Sequence, residues 1–550
     1  MISKTLGSVL PAQSRGFPWL RGGTALVGAL VCLPVGAVIL NVFFPRMVTW
    51  RHLASTVLPD YVANTLLLAV LVGAGVIVVG VGCAWLTTMC RFAMARFFEW
   101  ALLLPLAMPA YVMAYVYTDL LQFAGPLQGA LREATGWRAG EYWFPDVRSL
   151  GGAAFVLAFV LYPYVYLLAR AAFLEQSSSA LETARMLGDD PWRSFFRIAL
   201  PLARPGIAAG TALCLMETLA DYGAVAYFGV DTFSTGIFRA WFSLADPVAA
   251  AQLGALLLAG IAAVLAFERL ARGRAAFHSA GRRRATPYSL GGAHAFGAWF
   301  ACAVPLAIGF AVPAALLVRL ALQEDGAAVG ARFARLAWNS FTLAGITALL
   351  AVGCAMIIAY ALRLRPGVLE RAAARIAGLG YAMPGVVVAV GVMAPLTRVD
   401  QWLAALLQTA TGAPATLVLS GTVLALLYAY VVRFLAVALQ TVEAGLTKIR
   451  RSMDEAARIL GAGPGATLAR VHAPLLGRSL FAALLLVFVD VMKELPATLA
   501  LRPFDFDTLA VQTFNLAQDE RLAEASIPAL TIVVVGLIPV YLLARSMARR

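Results

Sequence analysis

Four acidic residues lie within long apolar stretches of this chain. Glu217 and Asp221 are four positions apart, and Asp490 and Glu494 repeat that spacing 273 residues later. Residues four apart share one face of a helix, so each pair would present two carboxylates to the same neighbour. Carboxylates are costly in a membrane and usually face a path or a partner, and hard cations prefer oxygen ligands. We therefore expect these acids to line a substrate path that could bind a highly charged cation, with Tyr222 and Tyr227 as phenolic ligands or as anchors of the helix.

A structural explanation of these acids stays open at this point. Lys493 lies in the same stretch and could neutralise Asp490 or Glu494, while Glu217 could form a hydrogen bond with a neighbouring helix. Roles in gating or in structure would then account for the pattern without any contact with a substrate.

The composition indicates a membrane protein. Of the 550 residues, 61% are hydrophobic and 13% are charged, and the mean hydropathy is +0.82. Soluble domains carry about 25% charged residues. The net charge of +14 comes largely from Arg clusters between apolar blocks, which is how membrane proteins fix their orientation and argues against nucleic acid as a partner. The six cysteines have neither metal-site spacing nor the pattern of a disulfide framework.

Apolar windows long enough to cross a bilayer predict about twelve helices. The first six lie near 24–44, 62–89, 98–121, 151–173, 205–228 and 248–267, and the second six near 296–320, 340–363, 374–397, 416–440, 478–496 and 527–545. The basic clusters fall in alternate connections. We therefore expect a multi-pass protein of the bacterial inner (plasma) membrane with both chain ends in the cytoplasm.

The two halves of the sequence repeat each other. The residues Glu182, Ala184, Arg185, Leu187, Gly188, Pro191, Arg197 and Pro201 match Glu455, Ala457, Arg458, Leu460, Gly461, Pro464, Arg470 and Pro474 at an offset of 273. Asn64 and Met108-Pro109 match Asn339 and Met383-Pro384 at an offset of 275. This repeat predicts an all-α membrane protein of two parallel six-helix halves about a pseudo-twofold axis.

The repeat also predicts the domain boundaries. A cytoplasmic tail at 1–23 would precede a first transmembrane domain at 24–268, and a basic cytoplasmic linker at 269–294 would lead to a second transmembrane domain at 295–550.

The repeated stretches, at 179–203 and 452–476, are predicted to form a helix–turn–helix outside the bilayer. Gly188 and Gly461 would end the first helix in the left-handed conformation, and a second short helix would end at Pro201 or Pro474, just before the next span. This pattern resembles the cytoplasmic EAA loop of bacterial ABC importer permeases. The resemblance implies an ATPase-coupling role for Glu182, Ala184, Gly188, Pro201, Glu455, Ala457, Gly461 and Pro474.

The same resemblance implies a type I, MetI-like importer permease and not an enzyme. The chain has no G-x-x-x-x-G-K-[ST] phosphate loop. ATP and Mg²⁺ would therefore bind to a separate cytosolic ABC ATPase, present in two copies, and this chain would bind no cofactor of its own.

Three stretches, Glu141–Phe173, Glu217–Phe242 and Asp490–Phe514, resemble the fused permeases of iron(III) ABC importers. The resemblance implies Fe³⁺ as substrate, delivered by a periplasmic iron-binding protein. Free iron, chelated iron and thiamine stay open, because thiamine permeases share the fused twelve-span plan. Two other classes are possible from the sequence. An ion-coupled secondary transporter has no ATPase for the repeated loops to bind, and a structural membrane scaffold would leave the buried acids unexplained.

Two segments on the predicted outer side, 122–150 and 497–526, combine mixed charge with aromatic residues. Such surfaces suit docking of a folded protein, although a plain solvated loop has a similar composition. The candidates for contact with the binding protein are Trp143, Asp146, Arg148, Arg502 and Asp505.

Overall fold

The protein is an almost entirely helical bundle with the length and apolarity of a membrane protein. The computed structural model describes residues 18–44, 47–138, 140–176, 190–272, 287–324, 330–412 and 419–548, with Glu182, Met186 and Gly188 individually. Most of the tail predicted at 1–23 and much of the linker predicted at 269–294 lie outside these ranges. The predicted fold class is confirmed.

Eleven helices among the described residues are long and apolar enough to cross a membrane, and a bent pair makes a twelfth span. In chain order they are α1 (Trp19–Asn41), α2 (Leu58–Met89), α3 (Ala95–Ala107 with Ala110–Thr135, bent by 93°), α4 (Leu150–Glu175), α5 (Trp192–Ala220), α6 (Pro247–Ala271), α7 (Gly292–Leu322), α8 (Ala331–Leu364), α9 (Gly385–Ala410), α10 (Val423–Thr447), α11 (Pro464–Met492) and α12 (Leu522–Arg545). Two short strands, β1 (Cys90–Arg91) and β2 (Tyr288–Ser289), pair in parallel, with Cys90 opposite Tyr288. We call the membrane face that carries the connections α4–α5 and α10–α11 the loop face.

The first helix of each half packs against the other half. The Tyr428 hydroxyl on α10 donates to the carbonyl of Leu30 on α1 at 2.5 Å, and the Tyr117 hydroxyl on α3 donates to the carbonyl of Ile308 on α7 at 2.6 Å. On the loop face, Arg21 pairs with Glu370 at 3.3 Å. The two halves are therefore interlocked, which hydropathy and the repeat could not predict.

The helices α5 and α11 begin earlier than the sequence predicted. Each continues through Pro201 or Pro474 by way of a π-helical turn, at Phe195–Ala199 and at Leu468–His472. A proline cannot donate to the carbonyl one turn earlier, and a widened turn lets the helix continue past it. The prediction of a separate short helix that ends at these prolines is wrong.

Repeated polar side chains of α2 and α8 hold the connections on the face opposite the loop face. The Asn64 amide donates to the carbonyl of Asp231 at 2.9 Å, and the matching Asn339 amide donates to the carbonyl of Asp507 at 3.2 Å. The next residues of the repeat, Thr65 and Ser340, accept backbone N–H groups of the same connections. The repeated Asn-Thr and Asn-Ser pairs thus anchor equivalent loops.

We predict that Asn339→Ala destabilises the protein by about 1 kcal/mol, because one hydrogen bond to a partly buried carbonyl is lost. Thermal unfolding in detergent, followed by tryptophan fluorescence, measures the effect. Thr342→Ala is the matched control, because the Thr342 hydroxyl bonds only within its own helix. Equal melting temperatures for the two variants would contradict the anchoring role.

Candidate functional site

Both acid-bearing helices break at the second acid of each pair. The helix part of α5 ends at Ala220, and the short helix Gly223–Tyr227 follows. The Asp221 carboxylate accepts from the N–H groups of Ala224 at 3.0 Å and Val225 at 3.1 Å. It therefore caps the short helix, and Asp221 lies just past the end of the helix that carries Glu217.

The second half repeats this break. The helix part of α11 ends at Met492, and the short helix Pro496–Leu501 follows. The Glu494 carboxylate accepts from the N–H of Ala497 at 2.9 Å and from the N–H and hydroxyl of Thr498 at 3.1 and 2.7 Å. Glu494 likewise lies just past the end of the helix that carries Asp490.

The two breaks meet in the centre of the molecule. A Cβ atom on Gly223 would lie 2.8 Å from Leu495 Cδ2 of the other half and 2.8 Å from Tyr111 Cβ. Since real Cβ atoms do not approach so closely, the glycine permits this approach of the two halves.

A central cavity of about 130 Å³ lies at this meeting point. It is lined by Glu217, Asp221, Tyr222, Asp490 and Glu494. The structure thus brings together the four acids and Tyr222, whereas Tyr227 does not line the cavity. Its polar lining also includes Tyr111, Tyr164, Tyr381, Arg433 and Lys493, of which sequence reasoning had considered only Lys493.

The carboxylates of the cavity differ in their partners. Lys493 Nζ lies 2.9 Å from Asp490 Oδ1, and the Arg433 guanidinium lies 3.1 Å from Glu494 Oε1. Glu217 forms no ion pair within the described ranges; it hydrogen-bonds with the Tyr381 hydroxyl and interacts electrostatically with Tyr164 and Lys493. The alternative that Lys493 neutralises Asp490 therefore agrees with the geometry.

The cavity is not a ready-made metal centre. In the part of the chain that the structure describes, no three His, Cys, Asp or Glu side chains cluster closely enough to hold a metal ion. Fixed hydrogen bonds and ion pairs already engage three of its four carboxylates. The arrangement suits weak, transient binding of a charged solute better than tight coordination of a metal ion.

An aromatic partition separates this cavity from a wider vestibule of about 620 Å³ on the opposite face. The Tyr222 ring lines both spaces. It stacks on Phe238 with centroids 3.8 Å apart and lies 6.1 Å from Phe514. The vestibule also contains Asp231 and Arg239, which pair at 2.8 Å.

The repeated loops have the predicted turn. Gly188 has φ +85° and Gly461 has φ +79°. In the second loop, the helix Arg451–Ile459 ends with the N–H of Gly461 on the carbonyl of Arg458 and the N–H of Ala462 on that of Ala457, which is a Schellman motif. Ala184 lies outside the described residues. Glu182 and Glu455 are exposed, and Ala457 is buried.

Each loop also exposes an apolar side chain at the same point of the repeat. Met186 is 88% exposed and Ile459 is 86% exposed, and they are 273 positions apart. Apolar side chains exposed outside the bilayer often mark a protein interface.

A polar clamp that sequence reasoning missed fixes the second loop. Arg363 at the end of α8 donates to Asp454 at 3.0 Å and to the carbonyls of Leu446 at 2.6 Å and Ile449 at 3.0 Å. His472 contacts the other Asp454 oxygen at 2.5 Å. The repeat gave no signal for this clamp, because the matching positions in the first half hold Thr88, Leu181 and Ala199.

Aromatic packing holds the first loop instead. The Trp85 ring lies 5.0 Å from the Phe195 ring and 5.6 Å from the Phe173 ring, between centroids. The two loops are thus alike in their turn and exposed tip but different in their attachment.

The predicted docking residues lie on the opposite face with mixed exposure. Trp143 is 86% exposed, and Arg148 is 3.6 Å from Glu520 of the other half. Asp146 accepts the backbone N–H of Arg148 at 3.1 Å. Arg502 pairs with Asp507, and Asp505 adopts a left-handed turn with φ +64°. The neighbouring Phe504, which sequence reasoning missed, is 96% exposed.

Comparison with known proteins decides the family. The family described as "Binding-protein-dependent transport system inner membrane component" matches residues 76–275 and again residues 351–550. This chain belongs to that family. It is a fused permease with two copies of the family domain, and it is therefore a transport component and a multi-pass protein of the inner membrane.

The relatives of this permease transport different solutes. It is 27% identical to the Fe(3+)-transport system permease protein FbpB 2 of Haemophilus influenzae over 96% of this chain and 98% of the relative. It is 23% identical to the putative ferric transport system permease protein FbpB 1 of the same organism over 88% of this chain and 79% of the relative. It is 30% identical to the molybdenum transport system permease protein ModB of Escherichia coli over 27% of this chain and 62% of the relative.

We predict that Arg363→Met loosens the second loop of the permease. The loss of charged hydrogen bonds costs about 2 kcal/mol or more and leaves the Asp454 carboxylate without its guanidinium partner. Limited trypsin digestion should then cleave after Arg458 about ten times faster. Arg365→Met is the matched control, because Arg365 is exposed two residues away. A cleavage rate equal to that of the control would argue against the clamp.

Proposed function

We propose that this permease passes iron(III) from a periplasmic binding protein into the cytoplasm, driven by a separate ABC ATPase. The observation that carries the proposal is the central cavity, where carboxylates from both halves converge. The match to an Fe(3+)-transport permease over nearly the full length of both chains supports the same substrate.

The charge of the cavity favours a cation over the oxyanions that other family members transport. Four carboxylates and two cationic side chains line it, which leaves a net charge of −2 when all are ionised. An anion such as molybdate would be repelled by this lining, whereas Fe³⁺ would be attracted. Carboxylate and phenol oxygens are also the ligands that hard cations prefer.

The loop face is proposed to be cytoplasmic, with both chain ends on that side. Basic residues concentrate there, in agreement with the positive-inside rule. The domains would then be those expected from the repeat, with halves at 24–268 and 295–550 joined by a cytoplasmic linker at 269–294.

The two repeated loops are proposed to bind one ATPase each. Met186 and Ile459 would fill equivalent apolar sockets, beside the turns at Gly188 and Gly461, with Glu182 and Glu455 at the exposed edge. Since α5 extends from the first loop to Glu217 and α11 from the second loop to Asp490, a movement of a loop would be transmitted along its helix to the cavity. ATP and Mg²⁺ would stay on the motor subunits.

The opposite face is proposed to receive the iron-binding protein. Trp143 in the first half and Phe504 in the second present two strongly exposed aromatic side chains, and aromatic residues are enriched at protein interfaces. Asp146, Arg148, Arg502 and Asp505 would surround them with charge. The vestibule would take up the released ion.

We predict that Glu217→Gln combined with Asp490→Asn lowers iron uptake at least about tenfold, because two negative charges that attract the cation are removed. Uptake of ⁵⁵Fe³⁺ into proteoliposomes that contain the complete importer measures this. Co-purification with the ATPase checks assembly, and the control Asp60→Asn removes an exposed acid outside the cavity. Wild-type uptake by the assembled double variant would refute a role of these acids in the path.

We also predict that Gly188→Pro together with Gly461→Pro uncouples transport from ATP hydrolysis. Proline requires φ near −65°, whereas both glycines have positive φ. Iron uptake per ATP hydrolysed should fall at least about tenfold. Gly463→Pro is the matched control, because Gly463 in the same loop has φ −71°. Normal coupling in the double variant would count against the loops as motor contacts.

A further inference from the structure

Glu217 differs from the other three carboxylates of the central cavity. Asp221 is compensated by two N–H groups at a helix start, Glu494 by Arg433 and by the N–H groups of Ala497 and Thr498, and Asp490 by Lys493. Within the described part of the chain, Glu217 forms no ion pair and caps no helix, and it hydrogen-bonds with the Tyr381 hydroxyl. The cavity thus has a single acid whose charge is left for the cargo.

Lys493 is the residue that compensates Asp490 and leaves Glu217 without an ion-pair partner. Its ammonium lies 2.9 Å from Asp490 Oδ1, and it also interacts electrostatically with Glu217 across the cavity. The repeat does not require a cation here, because the matching residue of the first half is Ala220. A lysine within apolar surroundings is costly, so its presence beside the path calls for a functional explanation.

We propose that Lys493 is a charge-selectivity residue: it acts as the built-in counter-ion of Asp490, so that the empty cavity attracts a trivalent cation but does not load ordinary monovalent and divalent cations. This inference rests on the proposed function. It assigns to Lys493 a role in excluding the wrong cargo, in addition to the attraction that the carboxylates supply.

The physical argument compares the cavity with and without the ammonium. With Lys493 the net charge of the lining is −2, and without it the net charge is −3 when all groups are ionised. At the same distance a trivalent ion interacts with a given carboxylate three times as strongly as Na⁺ does. Repulsion by the ammonium scales with the ion's charge in the same way, so a lining of net charge −2 still attracts a trivalent ion three times as strongly as Na⁺. The weaker attraction of abundant monovalent and divalent cations suffices for entry only when Asp490 is left uncompensated.

The test uses the complete importer in proteoliposomes, with ATP and the iron-free binding protein. The accumulation of ²²Na⁺ and ⁵⁴Mn²⁺ is measured for the wild type, for Lys493→Met and for the double variant Asp490→Asn with Lys493→Met. We expect no accumulation by the wild type above protein-free liposomes. Lys493→Met should accumulate these ions about ten times faster than protein-free liposomes do. The double variant should return to the wild-type rate, because its net charge is again −2.

Two results would overturn the proposal. One is that Lys493→Met co-purifies with the ATPase but accumulates Na⁺ and Mn²⁺ no faster than the wild type. The other is a double variant that leaks as fast as Lys493→Met, since the leak would then come from lost packing and not from charge. If Lys493→Met does not assemble, Lys493→Gln replaces it with the same expected leak.

The control for the lysine change itself is Lys448→Met, because Lys448 is exposed at the end of α10, outside the cavity. It should exclude both ions as the wild type does. Uptake of ⁵⁵Fe³⁺ from the loaded binding protein is measured in parallel. A wild type that takes up no iron would contradict the proposed function, while the Na⁺ and Mn²⁺ rates would still report on Lys493.

Discussion

Compensation of carboxylates inside the membrane is the constraint on which the rest of this structure depends. An isolated charge there costs several kcal/mol, so each acid needs donors that are fixed in place. Asp221 and Glu494 obtain them from the starts of the short helices that follow α5 and α11. The helix breaks are therefore a means of keeping charge near the centre of the bundle, and the cavity exists because the two breaks meet there.

The sequence duplication accounts for the structural features that the two halves share, and sequence differences between the halves account for the features found in one half only. Both halves have the Asn64 and Asn339 anchors, the left-handed turns of the loops, the π-helical turns before the prolines and the acid-capped helix breaks. Among the described residues, three features occur in one half only: Lys493 in the cavity, the Arg363 clamp on the second loop and the Trp85 packing on the first. A fused chain can acquire such differences because each half has its own sequence.

The sequence was sufficient to predict what depends on local pattern. Long apolar runs predicted the twelve spans, and the repeat predicted the convergence of the acids and the turns at Gly188 and Gly461. The apolar pattern did not predict that α5 ends before Asp221 and α11 before Glu494, because each apolar run continues past the end of its helix. Gly223 and Pro496 were the available signals of these two breaks. The interlocked first helices, the Arg363 clamp and the Tyr222 partition depend on which distant segments meet, and periodicity does not encode that.

Access to the cavity and the charge within it are linked through neighbouring residues. Asp221 caps the short helix, and the next residue, Tyr222, forms the partition with Phe238. The Ser234 hydroxyl also donates to the Asp221 carbonyl at 2.5 Å, which ties Asp221 to the helix that carries Phe238. A backbone movement that separates Tyr222 from Phe238 would therefore act on Asp221 as well, through this hydrogen bond and the adjoining peptide. The aromatic partition and the cap on Asp221 are thus coupled through one short backbone segment.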